Sequence, residues 1–355
     1  MSDAESAGPV GGEARPSGHP SRPVTISYIA ETAGVSVPTV SKVINGRAGV
    51  SADTRARVEA LIDAYGYRKS SASSRGTQMD LVFDEIESMW GVEIIRGVQR
   101  AARAHRVGVV LSEFGPQRNA IRYWIDDALQ RRPAGVVVVA QLSQEDHERL
   151  RDNGIPFVVF DPTVELPDDV PFVGATNWAG GRMAARHLSG LGHRRIAMVA
   201  GPDDVLCCRA RLDGYRAALD AAGLPVDPAL VVSAPLTREG GRVAARRLVA
   251  LADRPTAVFA SDDVLALGVY DAAREAGLRV PADLSVVGFD DLPLAALLDP
   301  PLTTVRQPLV EMAMAATELA LALGRGEQPP QVGLELATTL TVRASTAPPA
   351  GVRED

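Results

Sequence analysis

"TISYIAETAGVSVPTVSKVINGR", residues 25–47, decides how the front of this chain folds. Ile26, Ile29, Ala30 and Ala33 recur at i, i+3, i+4 and i+7, one apolar stripe on a short helix that Thr25 caps and Gly34 stops. After the Gly34-Val35 turn, Ser36 is a good N-cap, and Pro38 falls in the first turn of the next helix, where its missing N–H costs least. On that second helix Val40, Val43 and Ile44 face inward, while Pro38, Ser41, Lys42 and Asn45 recur on the opposite, polar and basic face. A third helix opens at Ser51, with Val58, Leu61, Ile62 and Tyr65 as its stripe before Gly66. Three short helices around one core, two of them joined by a four-residue turn, spell a helix-turn-helix, whose second helix enters the major groove of DNA. The same residues also fit a plain three-helix bundle with a solvated polar face. In the DNA-binding reading Thr39 and Ser41 suit phosphates or base edges, Lys42 a guanine edge or phosphate, and Val37 and Pro38 a thymine methyl.

Charge favours the first reading. The 355-residue chain carries 37 basic and 44 acidic residues, a net −7. Across residues 22–75, however, Arg22, Lys42, Arg47, Arg55, Arg57, Arg68, Lys69 and Arg75 face only Glu31, Asp53, Glu59 and Asp63. A basic head on an acidic body predicts that only the head approaches nucleic acid.

The length predicts two or three folding units. No apolar run approaches the roughly 20 residues of a membrane span. Residues 1–22 are Gly, Pro, Ser and charge without the apolar core of a secretory signal, so a disordered leader on a cytoplasmic protein is expected. Cys207 and Cys208 are adjacent, which matches no zinc spacing and no useful cross-link, and both are expected to pack.

From Asp80 onward "LVF", "VGVVL", "GVVVVA", "PFVVF", "PFVGA", "RIAMVA", "LVVSA", "TAVFA" and "LSVVGF" alternate with helical patterns, which predicts parallel sheets divided between two α/β lobes. A ligand cleft is expected where the carboxyl ends of the strands converge. Asp161, the pair Asp262 and Asp263, and the pair Asp290 and Asp291 follow such strands, and Arg209 and Arg211 open the helix after "RIAMVAGPDDVLCC". Carboxylates and a guanidinium, with Trp90 and Phe160 available for stacking, suit a neutral polyhydroxylated ligand such as a sugar. Each Asp equally suits the cap of a following helix. The five histidines are scattered, and P-loop, dinucleotide fingerprint, nucleophile elbow and metal-ligand cluster are all missing from the sequence, so neither enzyme, metal nor cofactor is expected.

Residues 24–68, "VTISYIAETAGVSVPTVSKVINGRAGVSADTRARVEALIDAYGYR", closely resemble the DNA-binding head of the LacI/GalR family of bacterial transcription regulators. The resemblance continues through "RARLDGYRAAL" (209–219), "ASDDVLALGVYDAAREAGLRVPADLSVVGFDD" (260–291) and "PPLTTVRQP" (300–308), which look like the family's effector domain, similar in fold to periplasmic sugar-binding proteins. It implies an all-α helix-turn-helix head and an α/β body of two doubly wound lobes. It also implies a near-palindromic operator, a homodimer, and a sugar-like effector met by Arg211, Asp262, Asp290 and Asp161, with Trp90 where relatives stack a ring. Asp262 replaces the asparagine of some members. The family's hinge leucine and Pro-Asn pair are absent from the serine-rich, basic "RKSSASSRGTQ" of residues 68–78, so either Arg68, Lys69 and Arg75 hold phosphates without intercalation or operator bending is weaker than in relatives.

The expected division is therefore a leader at 1–22, the head at 23–67, a basic linker at 68–78, the effector-binding and dimerisation body at 79–345 and a flexible tail at 346–355. The DNA-contacting set is Thr25, Ser36, Val37, Pro38, Thr39, Ser41, Lys42, Asn45, Arg47, Arg68, Lys69 and Arg75. A repressor released by its effector is the leading function. A sugar-binding transport protein, an activator or co-effector-dependent regulator, and a sugar-processing enzyme are the alternatives.

Overall fold

The computed structural model describes residues 26–44, 49–65, 76–86, 89–115, 119–328 and 330–350. The chain divides into two compact units, Met1–Ser73 and Ser74–Asp355.

The first unit holds α1 (Ile26–Ala33), α2 (Val37–Ile44) and α3 (Ala52–Ala64). Ile29, Ala30, Ala33, Val40, Val43 and Val58 are buried together, with Ile26, Ile44, Leu61, Ile62 and Tyr65 packed around them. Gly34, at φ +65°, ends α1 in the left-handed region, and the Val35 N–H reaches back to the Ala30 carbonyl at 3.0 Å, closing the helix end. Ser36 Oγ accepts from the Thr39 N–H at 3.4 Å and Ser51 Oγ from the Thr54 N–H at 3.4 Å, so α2 and α3 are capped by the expected serines. Tyr28 meets Tyr65 edge-on at 5.5 Å, tying α1 to the end of α3.

The second unit runs β1 (Gln78–Phe83), α4 (Met89–Ala104), β2 (Gly108–Glu113), α5 (Ala120–Arg131), β3 (Val136–Val139), α6 (Gln144–Asp152), β4 (Phe157–Phe160), β5 (Phe172–Ala175) and α7 (Asn177–Gly190). It continues with β6 (Ile196–Ala200), α8 (Leu206–Ala221), β7 (Val231–Ser233), α9 (Arg238–Val249), β8 (Ala257–Ala260), α10 (Asp263–Glu275), β9 (Ser285–Asp290), β10 (Thr303–Arg306), α11 (Leu309–Gly324), β11 (Gly333–Leu336) and β12 (Thr339–Thr341). Two six-stranded sheets result, in the orders β11-β5-β4-β3-β1-β2 and β12-β10-β9-β8-β6-β7. All pairings are parallel except that of β12 with β10. The chain passes between the two lobes three times: after β5, after β10 and between β11 and β12.

All nine apolar runs become strands. Three further strands, β10, β11 and β12, are short and rich in Thr or Glu, and they finish the two sheets from segments with no apolar run. The body also starts and ends beyond the expected limits. Gly76 N–H already bonds the Arg132 carbonyl at 2.9 Å and β1 begins at Gln78, so residues 76–78 belong to the body and not to a linker. At the other end Thr346 Oγ1 bonds His187 Nε2 at 3.0 Å, and Ala347 N–H donates to Ser285 Oγ at 3.0 Å, so the expected tail stays docked through Ala347.

The buried charge of β1 is matched. Asp80, fully buried in β1, accepts from Trp124 Nε1 at 3.0 Å and from both terminal nitrogens of Arg131 at 3.0 and 2.9 Å. The helices α7 and α8 meet backbone to backbone. A Cβ on Gly181 would lie 2.1 Å from the Arg211 carbonyl oxygen, and one on Gly214 the same distance from that of Trp178. This close approach sets where α8, and with it Arg211, can sit. Gly181→Ala is expected to destabilise the body by about 1–3 kcal/mol through overpacking, read as a lowered urea midpoint.

Candidate functional site

Two regions gather the residues singled out by the sequence, one in each unit. In the body, Asp161 directly follows β4, Asp290 ends β9, Asp262 immediately precedes α10, and Arg211 lies in the second turn of α8. All four are buried. Their positions follow from parallel topology, which brings the carboxyl ends of strands of each sheet to one edge. Asp161 at φ +44° and Asp290 at φ +103° hold backbone conformations that L-residues seldom adopt. Such conformations persist where surrounding contacts impose them, and they concentrate at functional sites.

Arg211 organises the cluster. Its Nε donates to Asn177 Oδ1 at 2.8 Å, Nη1 to the Ser261 carbonyl at 2.6 Å and Nη2 to Gln307 Oε1 at 3.2 Å. Nη2 also lies 3.5 Å from Asp290 Oδ1, and the guanidinium stacks on the Phe289 ring with 3.7 Å to its centroid. Gln307 Nε2 in turn donates to Asp161 Oδ2 at 2.9 Å. A continuous polar chain thus runs from Asp161 in the lobe of the first sheet to Arg211 and Asp290 in the lobe of the second. Burial pushes the carboxyl groups of Asp161, Asp262 and Asp290 above the usual carboxylate range, with Arg211 pulling each back. Burial also opposes the charge of Arg211, but Asp290 and its other acidic neighbours more than offset this, and the guanidinium stays protonated.

Asp262 does cap α10, accepting from the Leu265 N–H at 2.6 Å, while lying close enough to Arg211 to feel its charge. Its neighbour Asp263 has a different role. It accepts from the Leu292 N–H at 2.8 Å and Thr304 Oγ1 at 2.6 Å, bracing the loop after β9, and burial pushes its carboxyl up to about 8. Asp291 pairs with Arg343 at 2.6 Å, and Arg209 lies exposed outside the cluster, 4.0 Å from Glu165. Trp90, in the first turn of α4, meets Phe160 edge-on at 5.8 Å, and both line a cavity of about 120 Å³ that Asp161 borders. Asp161 also borders a cavity of about 670 Å³ whose walls include Asn177, Trp178 and Cys207. Cys208 is buried and Cys207 half-buried, both as free thiols.

Asn177, Ser261 and Gln307 were not foreseen. Asn177 opens α7 two residues after β5 and Gln307 directly follows β10, but β10, "TTVR", has no apolar run, so nothing marked Gln307 as a strand-end residue. Ser261 contributes a main-chain carbonyl, which no side-chain pattern reports.

In the head, Ser36, Val37, Pro38 and Lys42 are exposed on α2, while Thr39 and Ser41 are half-buried. Ser36 and Thr39 share a hydroxyl hydrogen bond of 2.8 Å that goes with the cap. Five α2 positions expected on DNA, with the capping Ser36, therefore lie along one helix, its positive N-terminal end among them. Thr25, Asn45, Arg47, Arg68, Lys69 and Arg75 lie outside the described residues.

Residues 25–70 match the family described as bacterial regulatory proteins, lacI family, and residues 185–346 match a periplasmic binding protein-like domain. The HTH-type transcriptional regulator MalR of Streptomyces coelicolor is 35% identical over 340 residues, covering 92% of this chain and 98% of its own. The HTH-type transcriptional repressor CytR of Escherichia coli (strain K12) is 32% identical, covering 91% and 96%. Among solved structures, a transcriptional regulator CelR–cellobiose complex superposes with a TM-score of 0.71 at 34% identity, over 91% of this chain and 100% of that one. The lac repressor dimer bound to operator and the anti-inducer ONPF gives 0.68 at 28% identity, over 92% and 100%. Among the described residues no helix is long and apolar enough to cross a membrane. A helix-turn-helix followed in sequence by a two-lobed α/β body, matched together by relatives over nearly their whole length, makes this chain a member of the LacI family and a DNA-binding transcriptional regulator, not an enzyme.

Proposed function

We propose that the protein is a cytoplasmic homodimeric repressor whose two heads read the halves of a near-palindromic operator, and that a neutral sugar bound between the lobes of the body releases it. The observation that carries this reading is the buried polar chain from Asp161 through Gln307 to Arg211 and Asp290, which draws on both lobes. A ligand whose hydroxyls replace these internal partners binds one arrangement of the lobes better than another, and only such a difference can switch operator affinity. Support also comes from relatives solved as a cellobiose complex and as a dimer on operator DNA.

On DNA, the exposed face of α2 supplies the contacts: Lys42 to a phosphate or guanine edge, Ser36, Thr39 and Ser41 to phosphates or base edges, and Val37 and Pro38 to a thymine methyl. One head offers few contacts, and symmetric pairing doubles them. In the body, Arg211, Asp290, Asp262 and Asp161 take ligand hydroxyls, and Trp90 and Phe160 pack against the apolar face of the ring.

Binding to a duplex covering the region upstream of its own gene, against a scrambled duplex at matched salt, tests the reading with D-glucose, D-galactose, D-ribose, maltose and cellobiose as effectors. Specific binding released by one sugar is the expected result; specific binding that no sugar alters would remove the sugar effector. Lys42→Ala is expected to weaken operator binding about tenfold and to lower the slope of log affinity against log salt by about one, with sugar affinity unchanged. Asp290→Asn keeps the side chain's shape but loses the carboxylate. It is expected to leave operator affinity within about twofold while raising the sugar concentration for half-release at least about tenfold, the loss of one charge-assisted hydrogen bond. A changed operator affinity with unchanged release would assign Asp290 to folding instead.

A further inference from the structure

His147 lies on the buried side of α6, 3% exposed. Its ring stacks on that of Phe157, with 3° between the planes and 5.6 Å between centroids, and this packing holds its orientation. Among the described residues, three buried side-chain atoms lack a hydrogen-bond partner: Ser261 Oγ, Asp290 Oδ1 and His147 Nδ1. The first two belong to residues that meet Arg211. The third belongs to a residue that lines the cavity of about 120 Å³ shared by Asp84, Trp90, Gln141, Phe160 and Asp161.

Leaving a buried polar atom unpaired costs about 1–3 kcal/mol, and such an atom in a native fold calls for a water or ligand partner. At about 30 Å³ per water molecule the cavity has room for about four, or for one edge of a sugar ring, but not for the whole of a disaccharide. Burial holds the imidazole below its usual pKa, with Asp146 and Asp169 raising it and Arg151 lowering it further, while Asp84 and Asp161 face the same cavity. The ring is therefore neutral at pH 7 and offers one acceptor and one donor, the complement of a hydroxyl, which both donates and accepts.

We propose that His147 is a specificity-determining residue of the effector site, its Nδ1 hydrogen-bonding a hydroxyl on the edge of the sugar ring that enters the cavity between Trp90 and Asp161. This rests on the sugar reading above and deepens it. It makes recognition depend on a hydroxyl at one ring position, because a sugar lacking that group leaves Nδ1 unpaired.

The test compares wild type, His147→Phe and His147→Asn by thermal shift with D-glucose, D-galactose, D-ribose, maltose and cellobiose. Phenylalanine keeps the stack on Phe157 and removes both nitrogens, whereas asparagine keeps a polar atom near the place of Nδ1. For the sugar that stabilises wild type, the apparent Kd is expected to rise about tenfold or more in His147→Phe and to stay within about threefold in His147→Asn. Operator affinity is expected to be equal in all three, and ligand-free His147→Phe to melt no lower than wild type. The imidazole nitrogen resonances of wild type give a reading that needs no variant: the Nδ1 signal is expected to shift on saturation with that sugar. Equal sugar affinity in wild type and His147→Phe, or an Nδ1 signal that does not move, would overturn the role of His147 while leaving the sugar reading intact. Stabilisation of wild type by none of the five sugars would overturn the sugar reading and this inference with it.

Discussion

The burial of one guanidinium among three carboxylates is the constraint on which the body depends. Arg211 cannot shed its proton, and burying such a charge unpaired costs several kcal/mol, so the fold must surround it with acceptors. It does so from separate stretches of chain: Asn177 after β5, the Ser261 carbonyl after β8, Asp290 at the end of β9 and Gln307 after β10. Each is the residue at or just past the carboxyl end of a strand. Positioning α8 against α7 through Gly181 and Gly214 is what lets the guanidinium reach all four. The cluster is nevertheless unbalanced, with Asp161, Asp262 and Asp290 near a single cation; burial raises all three carboxyl groups, Arg211 pulls each back, and for Asp290 its acidic neighbours add to the rise.

That imbalance suits a switch better than a staple. A buried ion pair contributes little net stability once desolvation is counted, but its geometry is specific, because removing or replacing any partner leaves an uncompensated charge. One link between the lobes is a pair of hydrogen bonds through the neutral Gln307 amide, which a ligand hydroxyl can replace one for one; the Leu206 N–H to the Thr163 carbonyl at 2.8 Å is another. In the proposed switch, a ligand competing for Gln307, Asp161 or Asp290 would act on contacts between the lobes, and its differential affinity would supply the switching energy.

Much of this was legible in the sequence, and the gaps have physical causes. The head reads directly because its helices are amphipathic and its caps, Ser36, Ser51 and Gly34, are local signals. Nine strands read as apolar runs because parallel sheets are covered on both faces. The missing strands β10, β11 and β12 are short, and their place in a sheet is fixed by neighbours distant in sequence, so the amide of Gln307 had no strand end to mark it. Asp262 and Asp263 read as an undifferentiated acidic pair. Only the fold separates them, one capping α10 beside Arg211 and the other braced by Thr304 and Leu292. His147 looked like one of five scattered histidines, since α6 has few apolar residues to say which side is buried, and an unpaired ring nitrogen is a property of packing that no spacing encodes.

The same electrostatics limits what the proposed site can accept. Wherever these carboxyl groups are ionised, an added phosphate or carboxylate beside them is costly, because at an effective dielectric near 20 two like charges about 4 Å apart repel by about 4 kcal/mol. A neutral ligand rich in hydroxyls avoids that repulsion and supplies donors, which carboxylates need most. Position 262 sharpens the preference. One oxygen of Asp262 is already committed to the Leu265 N–H, so only its other oxygen faces outward chemistry, and as a carboxylate it accepts without donating. An asparagine here would offer its N–H₂ to a ligand acceptor; the aspartate asks for a ligand donor instead. A sugar hydroxyl can meet either residue, donating to the aspartate or accepting from an asparagine, so the exchange at this place changes the direction of that hydrogen bond in the proposed site.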